Sequence, residues 1–146
     1  RESGATILTG GKRLTDDEHK GGFYMAPTII EDARPSDAIS RDELFGPITC
    51  LYRVKDFTEA VELVNDSPFG LTAAIHTKNM HRAMTFMNEV KTGVISINGA
   101  TYGSEPHMPF GGLGQSGTGW REAGTEALDV YSDWKTVYIV HDPTDV

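Results

Sequence analysis

Short apolar runs separated by stretches of helical period set the organisation of this chain. Ala5–Leu8 reads as a strand closed by Gly10-Gly11, and Lys12–Gly22 as a polar, glycine-flanked surface loop. Phe23–Ile30 is a second extended run, in which Pro27 demotes part to an edge or turn. Ile48–Val54 is a third strand. Asp56 or Thr58 can cap the next helix, because a side-chain oxygen there accepts an orphan backbone N–H. Phe57, Ala60, Val61 and Val64 then share one helix face, and Asn65-Asp66-Ser67-Pro68 ends the helix. Leu71–Thr77 is a fourth strand. Asn79 can cap a second helix whose Met80, Ala83, Met84 and Met87 line one face, read as core packing, with Gly93 as its left-handed stop. Val94–Ile97 is a fifth strand, Gly99–Gly119 a long Gly/Pro/Ser loop, Trp120–Tyr131 a looser helix and Thr136–Val140 a final strand. Strand, helix, strand, helix, strand implies crossovers, hence an α/β fold with a parallel sheet covered by helices.

Composition narrows the class. The chain has 146 residues, enough for one domain with a sizeable core. Lys and Arg number 13 against 21 Asp and Glu, a net charge of −8, which argues against nucleic acid and against a polybasic membrane surface. No apolar run approaches membrane-spanning length. The single Cys50 excludes an internal disulfide and a Cys-rich zinc site, and a soluble protein of a reducing, cytoplasmic compartment is expected. The chain opens on Arg1 rather than Met, and the expectation is a piece of a longer protein.

Several motifs have ordinary readings. Gly112-Leu113-Gly114-Gln115-Ser116-Gly117 matches the dinucleotide fingerprint, but Glu105-Pro106-His107-Met108-Pro109-Phe110 before it is no strand, so a phosphate site is rejected. Cys50, among Ile48, Leu51 and Val54, reads as a core residue and not a nucleophile, since nothing nearby is electropositive. The five His residues show no ligand spacing, and no metal is expected. No set of side chains on this chain assembles into catalytic machinery.

Residues 41–50, Arg-Asp-Glu-Leu-Phe-Gly-Pro-Ile-Thr-Cys, stand apart. They put the Glu43 carboxylate and the Phe45 ring at a turn before a strand. A carboxylate there can accept from two vicinal hydroxyls, as on a ribose, and a ring can pack on a flat heterocycle. These ten residues alone fit better a turn with an exposed Glu and a core Phe.

Motifs further along the chain give these ten residues a context. Glu43-Leu44-Phe45-Gly46-Pro47 is followed by Asn65-Asp66-Ser67-Pro68-Phe69-Gly70-Leu71 and Gly93-Val94-Ile95-Ser96-Ile97-Asn98. Pro109-Phe110-Gly111-Gly112, Ser116-Gly117-Thr118-Gly119, Glu122-Ala123-Gly124 and Tyr131-Ser132-Asp133-Trp134-Lys135-Thr136-Val137 complete the series. Their order and spacing resemble the C-terminal part of NAD(P)-dependent aldehyde dehydrogenases, over almost the whole chain. The Trp120-Arg121-Glu122-Ala123-Gly124 wording is most similar to the branch that oxidises semialdehydes such as 2-oxoglutarate semialdehyde. His107-Met108-Pro109 is similar to enzymes for aromatic aldehydes.

The resemblance implies a catalytic-domain portion over residues 1–134 and an oligomerisation strand and tail over 135–146. It implies NAD or NADP as cofactor, a small aldehyde as substrate, and a homo-oligomer, dimer or tetramer, joined through the terminal strand. It implies that Glu43 binds the nicotinamide ribose and that Phe45 packs near the nicotinamide. Phe110 would contribute to the aromatic wall of the aldehyde tunnel, with Tyr102, Gly103, Ser104 and His107 where the family varies its substrate loop. The nucleophilic Cys, the base Glu and the oxyanion-holding Asn of the family have no motif here, so no catalytic residue is assigned and the chain alone is expected to be inactive. The family's frequent Lys between the Gly-Gly and Ser-Gly motifs is replaced by Leu113-Gly114-Gln115. The rival expectation is a non-catalytic module for assembly or interaction.

Overall fold

The computed structural model describes residues 4–142 and Thr144. The backbone divides into two compact units. One contains the residues up to Pro68 together with Asn79–Val90; the other contains Phe69–Lys78 and the residues from Lys91 onward. The second unit runs through residue 134 without a division there.

In the first unit, β1 (Thr6–Thr9) pairs antiparallel with β4 (Thr28–Glu31), and β4 pairs parallel with β5 (Ile48–Leu51) in the order β1-β4-β5. The polar loop is closed by a two-residue ribbon of β2 (Arg13–Leu14) and β3 (Tyr24–Met25). Alternation sends Thr28 and Ile30 of β4 inward. The buried Thr28 hydroxyl donates to the Ala26 carbonyl at 2.8 Å and accepts from the Gly11 N–H at 2.8 Å, so this polar side chain is fully engaged. Gly10, at φ +73°, has no room for a side chain, because a Cβ would overlap the Pro27 carbonyl oxygen.

Three helices belong to this unit: the single turn α1 (Ala38–Arg41), α2 (Phe57–Asn65) and α3 (Met80–Glu89). Asp56 is the cap of α2, accepting from the Glu59 N–H at 2.9 Å. Glu59 reaches back to the Lys55 N–H at 2.6 Å, one residue further out than in the usual reciprocal capping arrangement. Asn79 caps α3 by accepting from the Arg82 N–H at 3.1 Å. Asn65 closes the far end, its Nδ2 donating at 2.9 Å to the Glu89 carbonyl, one of the oxygens left over at a helix terminus. The core here is Ile30, Ala33, Val61, Ala83, Phe86 and Val90. Complete burial of a side chain the size of Val, Ile or Phe contributes about 1.5–3 kcal/mol.

In the second unit, β7 (Thr72–Ile75) and β8 (Val94–Ile97) form a parallel pair in register Thr72↔Val94 to Ile75↔Ile97. β6 (Phe69–Gly70) pairs antiparallel with β9 (Leu113–Gly114). Phe110 and Glu122 form an isolated bridge, and α4 is a single turn at Ala127–Val130.

Five expectations change. The parallel strands form two separate pairs, β4–β5 and β7–β8, rather than one continuous sheet among the described residues. The helix expected over Trp120–Tyr131 shrinks to α4, because Glu122 is held extended in a bridge and Ala123 and Gly124 are left-handed at φ 62° and 66°. The Met row is not core: Met80, Met84 and Met87 are exposed, while Ala83 and Phe86 supply the buried face of α3. Gly93 is no helix stop. Helix α3 ends at Val90 in extended conformation, and Gly93 is required instead because a Cβ would overlap the Gly111 carbonyl oxygen. The residues expected as a final strand, Thr136–Val140, carry no strand pairing among the described residues and stand exposed.

Candidate functional site

The Glu43–Pro47 segment leaves α1 at Asp42, whose N–H bonds the Ala38 carbonyl at 2.8 Å. Gly46 N–H then bonds the Leu44 carbonyl and Ile48 N–H bonds the Gly46 carbonyl, both at 2.8 Å. These are two successive three-residue turns centred on Phe45 and Pro47, and the fixed φ of proline suits the second. The Pro47 carbonyl accepts from Thr28 N–H at 2.8 Å, anchoring the turn to β4 at the start of the parallel ladder. Such tight turns throw the side chain of the central residue outward. Phe45 is 94% exposed, so the core reading of this ring fails. Glu43 is exposed, and among the described residues no hydrogen bond or ion pair engages its carboxylate. The pair therefore presents two acceptor oxygens and a bare ring on a short, anchored backbone. That pair of groups fits a ribose, whose hydroxyls donate, and a flat heterocycle.

Cys50 lies a few residues beyond, half-buried on β5, opposite Ile30 of β4. Ile48 and Cys50 form the less exposed face of β5, while Thr49 and Leu51 are open to solvent; Cys50 is half-buried there and lies outside the fully buried core. Its neighbour Tyr52 donates to Ser40 Oγ at 2.6 Å, and Ser40 Oγ donates to the Arg34 carbonyl at 2.7 Å. Burial raises the Tyr52 phenol above the ordinary 10.0; the Ser40 bond opposes the shift, and Cys50 and Asp37 add to it.

The four substrate candidates lie in the second unit. Tyr102, Ser104 and His107 are exposed, and Phe110 is half-buried. Tyr102 and Ser104 flank Gly103 at φ +88°. Phe110 is held by a reciprocal pair of backbone bonds with Glu122, at 2.7 and 2.8 Å, and the Gly124 N–H bonds the Pro106 carbonyl at 3.0 Å. His107 and Phe110 thus share one latched segment, whereas no bond ties Tyr102 or Ser104 to it among the described residues.

The fingerprint-like Gly112–Gly117 segment is a structural turn. Leu113 and Gly114 form β9, the Ser116 N–H returns to the Leu113 carbonyl at 3.1 Å, and Ser116 Oγ accepts from the Gly70 N–H at 3.2 Å. Gly112 and Gly117 pack backbone to backbone, with 2.6 Å between a Cβ at Gly117 and the Gly112 oxygen. The next helix starts only at Ala127, so this turn does not open into a helix N-terminus.

One grouping has no signature in the sequence. Asp16, Glu18 and His19 bring ligand atoms within 4.8 Å of one another on the polar loop. Its chemistry is that of a turn: His19 Nδ1 meets Asp16 Oδ1 at 2.6 Å, and this bond is the main reason the Asp16 carboxyl sits below its ordinary value. The backbone latch of Glu122 and Gly124 on Pro106–Phe110 is equally invisible there, since main-chain bonds leave no side-chain motif.

Known proteins supply the family. An alpha-ketoglutaric semialdehyde dehydrogenase of Bacillus subtilis is 36% identical over 139 residues, which is 95% of this chain and 28% of that protein. A betaine aldehyde dehydrogenase of Staphylococcus aureus, solved with NAD+, matches at TM-score 0.83 and 38% identity over 89% of this chain and 25% of its own. An indole-3-acetaldehyde dehydrogenase of P. syringae, solved with NAD+ and IAA, matches at TM-score 0.86 and 33% identity, covering 94% of this chain and 27% of its own. The chain therefore spans about a quarter of the length of these relatives. The profile of the Aldehyde dehydrogenase family matches residues 1–137, and the chain belongs to that family.

Proposed function

We propose that this chain is the C-terminal part of an NAD(P)-dependent aldehyde dehydrogenase subunit that oxidises a small aldehyde, a semialdehyde first among them, to its carboxylic acid. The semialdehyde reading is supported by the Bacillus subtilis relative. In the parent enzyme a Cys thiolate outside this chain adds to the aldehyde carbon, forming a thiohemiacetal. Loss of hydride from that carbon leaves a thioester, and water releases the acid and restores the thiol. NAD(P)+ supplies the hydride acceptor when bound.

The residues of this chain hold and orient. Glu43 accepts from the two nicotinamide-ribose hydroxyls, and Phe45 packs against the nicotinamide. Phe110 forms part of the aldehyde wall, and Tyr102, Ser104 and His107 vary the substrate loop. Correct orientation contributes up to roughly 10 kcal/mol in the best cases. The observation that carries the reading is the outward Phe45 ring beside an unengaged Glu43 carboxylate on a backbone fixed by three hydrogen bonds.

In the full-length enzyme, Glu43→Ala is expected to raise the KM for NAD(P)+ about tenfold, the loss of hydrogen bonds worth about 1.4 kcal/mol. Phe45→Ala is expected to slow hydride transfer in single-turnover measurements. Unchanged values for both variants would remove these roles. The isolated chain, incubated with NAD(P)+ and a panel of aldehydes, is expected to give no NAD(P)H above background. Turnover that disappears in Cys50→Ser would overturn the assignment of the nucleophile elsewhere.

Assembly is part of the same proposal. Trp134, Tyr138 and Val140 are each more than 90% exposed, and Thr136–Val140 has no strand partner among the described residues. An unpaired apolar strand edge is a template for another chain. Removing Lys135–Val146 should lower the molar mass seen by light scattering; an unchanged mass argues against this strand.

A further inference from the structure

The motif Glu122-Ala123-Gly124 is not used by the proposed chemistry, yet it contains the most unusual backbone of the second unit. Ala123 and Gly124 are consecutive left-handed residues, at φ 62° and 66°. For an alanine this conformation costs about 1–2 kcal/mol, so the surroundings must hold it. Among the described residues, what holds it is a set of main-chain bonds to one segment. Phe110 N–H bonds the Glu122 carbonyl at 2.7 Å, Glu122 N–H bonds the Phe110 carbonyl at 2.8 Å, and Gly124 N–H bonds the Pro106 carbonyl at 3.0 Å. The approach is close enough that a Cβ on Gly124 would lie 3.2 Å from both the His107 carbonyl oxygen and the Pro109 nitrogen, besides 2.9 Å from Glu126 Oε2 at the free end of a side chain. The double left-handed turn is therefore shaped around Pro106–Phe110, and both ends of that segment are tied to it.

We propose that Gly124 is a positioning residue for substrate specificity: it sets the backbone of Pro106–Phe110 and thereby the placement of the Phe110 ring and the His107 side chain toward the aldehyde. This inference rests on the reading that Phe110 and His107 face the substrate. Gly124 touches no substrate itself. Its absent side chain lets the 106–110 backbone come near, and its N–H pins Pro106. A side chain here introduces strain at φ +66° and pushes on His107 and Pro109, displacing the wall.

The test is a double-mutant cycle in the full-length enzyme, with KM and kcat measured separately for aldehyde and for NAD(P)+. Phe110→Ala alone examines the underlying reading: a changed aldehyde KM supports it, and no change refutes both that reading and this inference. Given a changed value, Gly124→Ala is expected to raise the aldehyde KM roughly tenfold, within the range of about 10²-fold that a misplacement near 1 Å can produce. The KM for NAD(P)+ should change far less than the aldehyde KM, because the bonds and the close approach of Gly124 act on Pro106–Phe110. Because Gly124 acts through Phe110, adding Gly124→Ala to Phe110→Ala should produce a further change well below the effect of Gly124→Ala alone, a failure of additivity expected of coupled residues. Gly124→Asn, which tolerates a left-handed backbone but keeps the Cβ, should recover only part of the loss. Equal rises in both KM values, full additivity, or an unchanged aldehyde KM in Gly124→Ala would each overturn the positioning role while leaving the Phe110 reading standing.

Discussion

The two units of this chain are held together by different physics. The first contains every buried apolar side chain among the described residues: Ile30, Ala33, Val61, Ala83, Phe86 and Val90. Its helices α2 and α3 have side-chain caps at their starts, and a side chain closes the end of α3. The second contains none of those buried side chains. It is organised by ladder bonds between β7 and β8, by the β6–β9 pair and by glycines that let backbone meet backbone, as at Gly93, Gly112 and Gly117. One unit is a small hydrophobic core; the other is a set of main-chain contacts with its apolar residues largely exposed. The lesson is that glycine does for the second what Phe86 and Val61 do for the first.

Breaking the comparison at its extremes gives the largest effects. Gly93→Val drives a side chain into the Gly111 carbonyl and should destabilise the β7–β8 region by roughly 4 kcal/mol or more, the range of exceptional single substitutions. Amide exchange at Thr72–Ile75 and Val94–Ile97 would read it, and protection equal to wild type would show that the overlap relaxes. Phe86→Ala empties the core of the first unit and should lose about 3–5 kcal/mol. Exchange should accelerate first in β4, α2 and α3; faster exchange confined to β7 and β8 would contradict the assignment of the core. Asp56→Ala deletes the cap of α2 and should lose about 1 kcal/mol in a urea titration. Asp56→Asn, which keeps an acceptor, should restore most of it.

The smallest effect is one of pH. Below 10.0 the Tyr52 phenol is neutral in both folded and unfolded chains, and its contribution is intact. Above that value the unfolded chain releases the proton first, because burial holds the folded phenol higher, so stability falls as pH rises toward the folded value. Between about pH 9 and about pH 11, which bracket the ordinary tyrosine value, the melting temperature of Tyr52→Phe should fall less than that of wild type. Parallel curves would show that the phenol contributes nothing.

Local signals are legible because local chemistry produces them. Asp56 and Asn79 are readable as caps, since an acceptor oxygen before an apolar-periodic segment meets orphan N–H groups wherever the helix is placed. β8 runs over Val94–Ile97 as the β-branched run predicts, and Asp66 ends α2 as its Asn-Asp-Ser-Pro sequence predicts. The spacing of Met80, Met84 and Met87 does put them on one face, but periodicity says which residues share a face and not whether anything covers it. Trp120–Tyr131 has helical composition, yet the bridge from Phe110 to Glu122 outweighs a propensity of a few tenths of a kcal/mol per residue.

Residue order alone establishes the family, the β8 strand and the caps of α2 and α3, because the succession of motifs, an apolar run and a capping oxygen are each written in the order of side chains. The packed structure was needed to show that the Phe45 ring faces outward rather than inward, that Gly93 and Gly124 serve close approach rather than helix termination or flexibility, and that Phe110 is latched from Glu122 and Gly124. Those facts depend on which backbones meet across many residues of separation, and a main-chain hydrogen bond or an absent Cβ leaves no mark on the order of side chains.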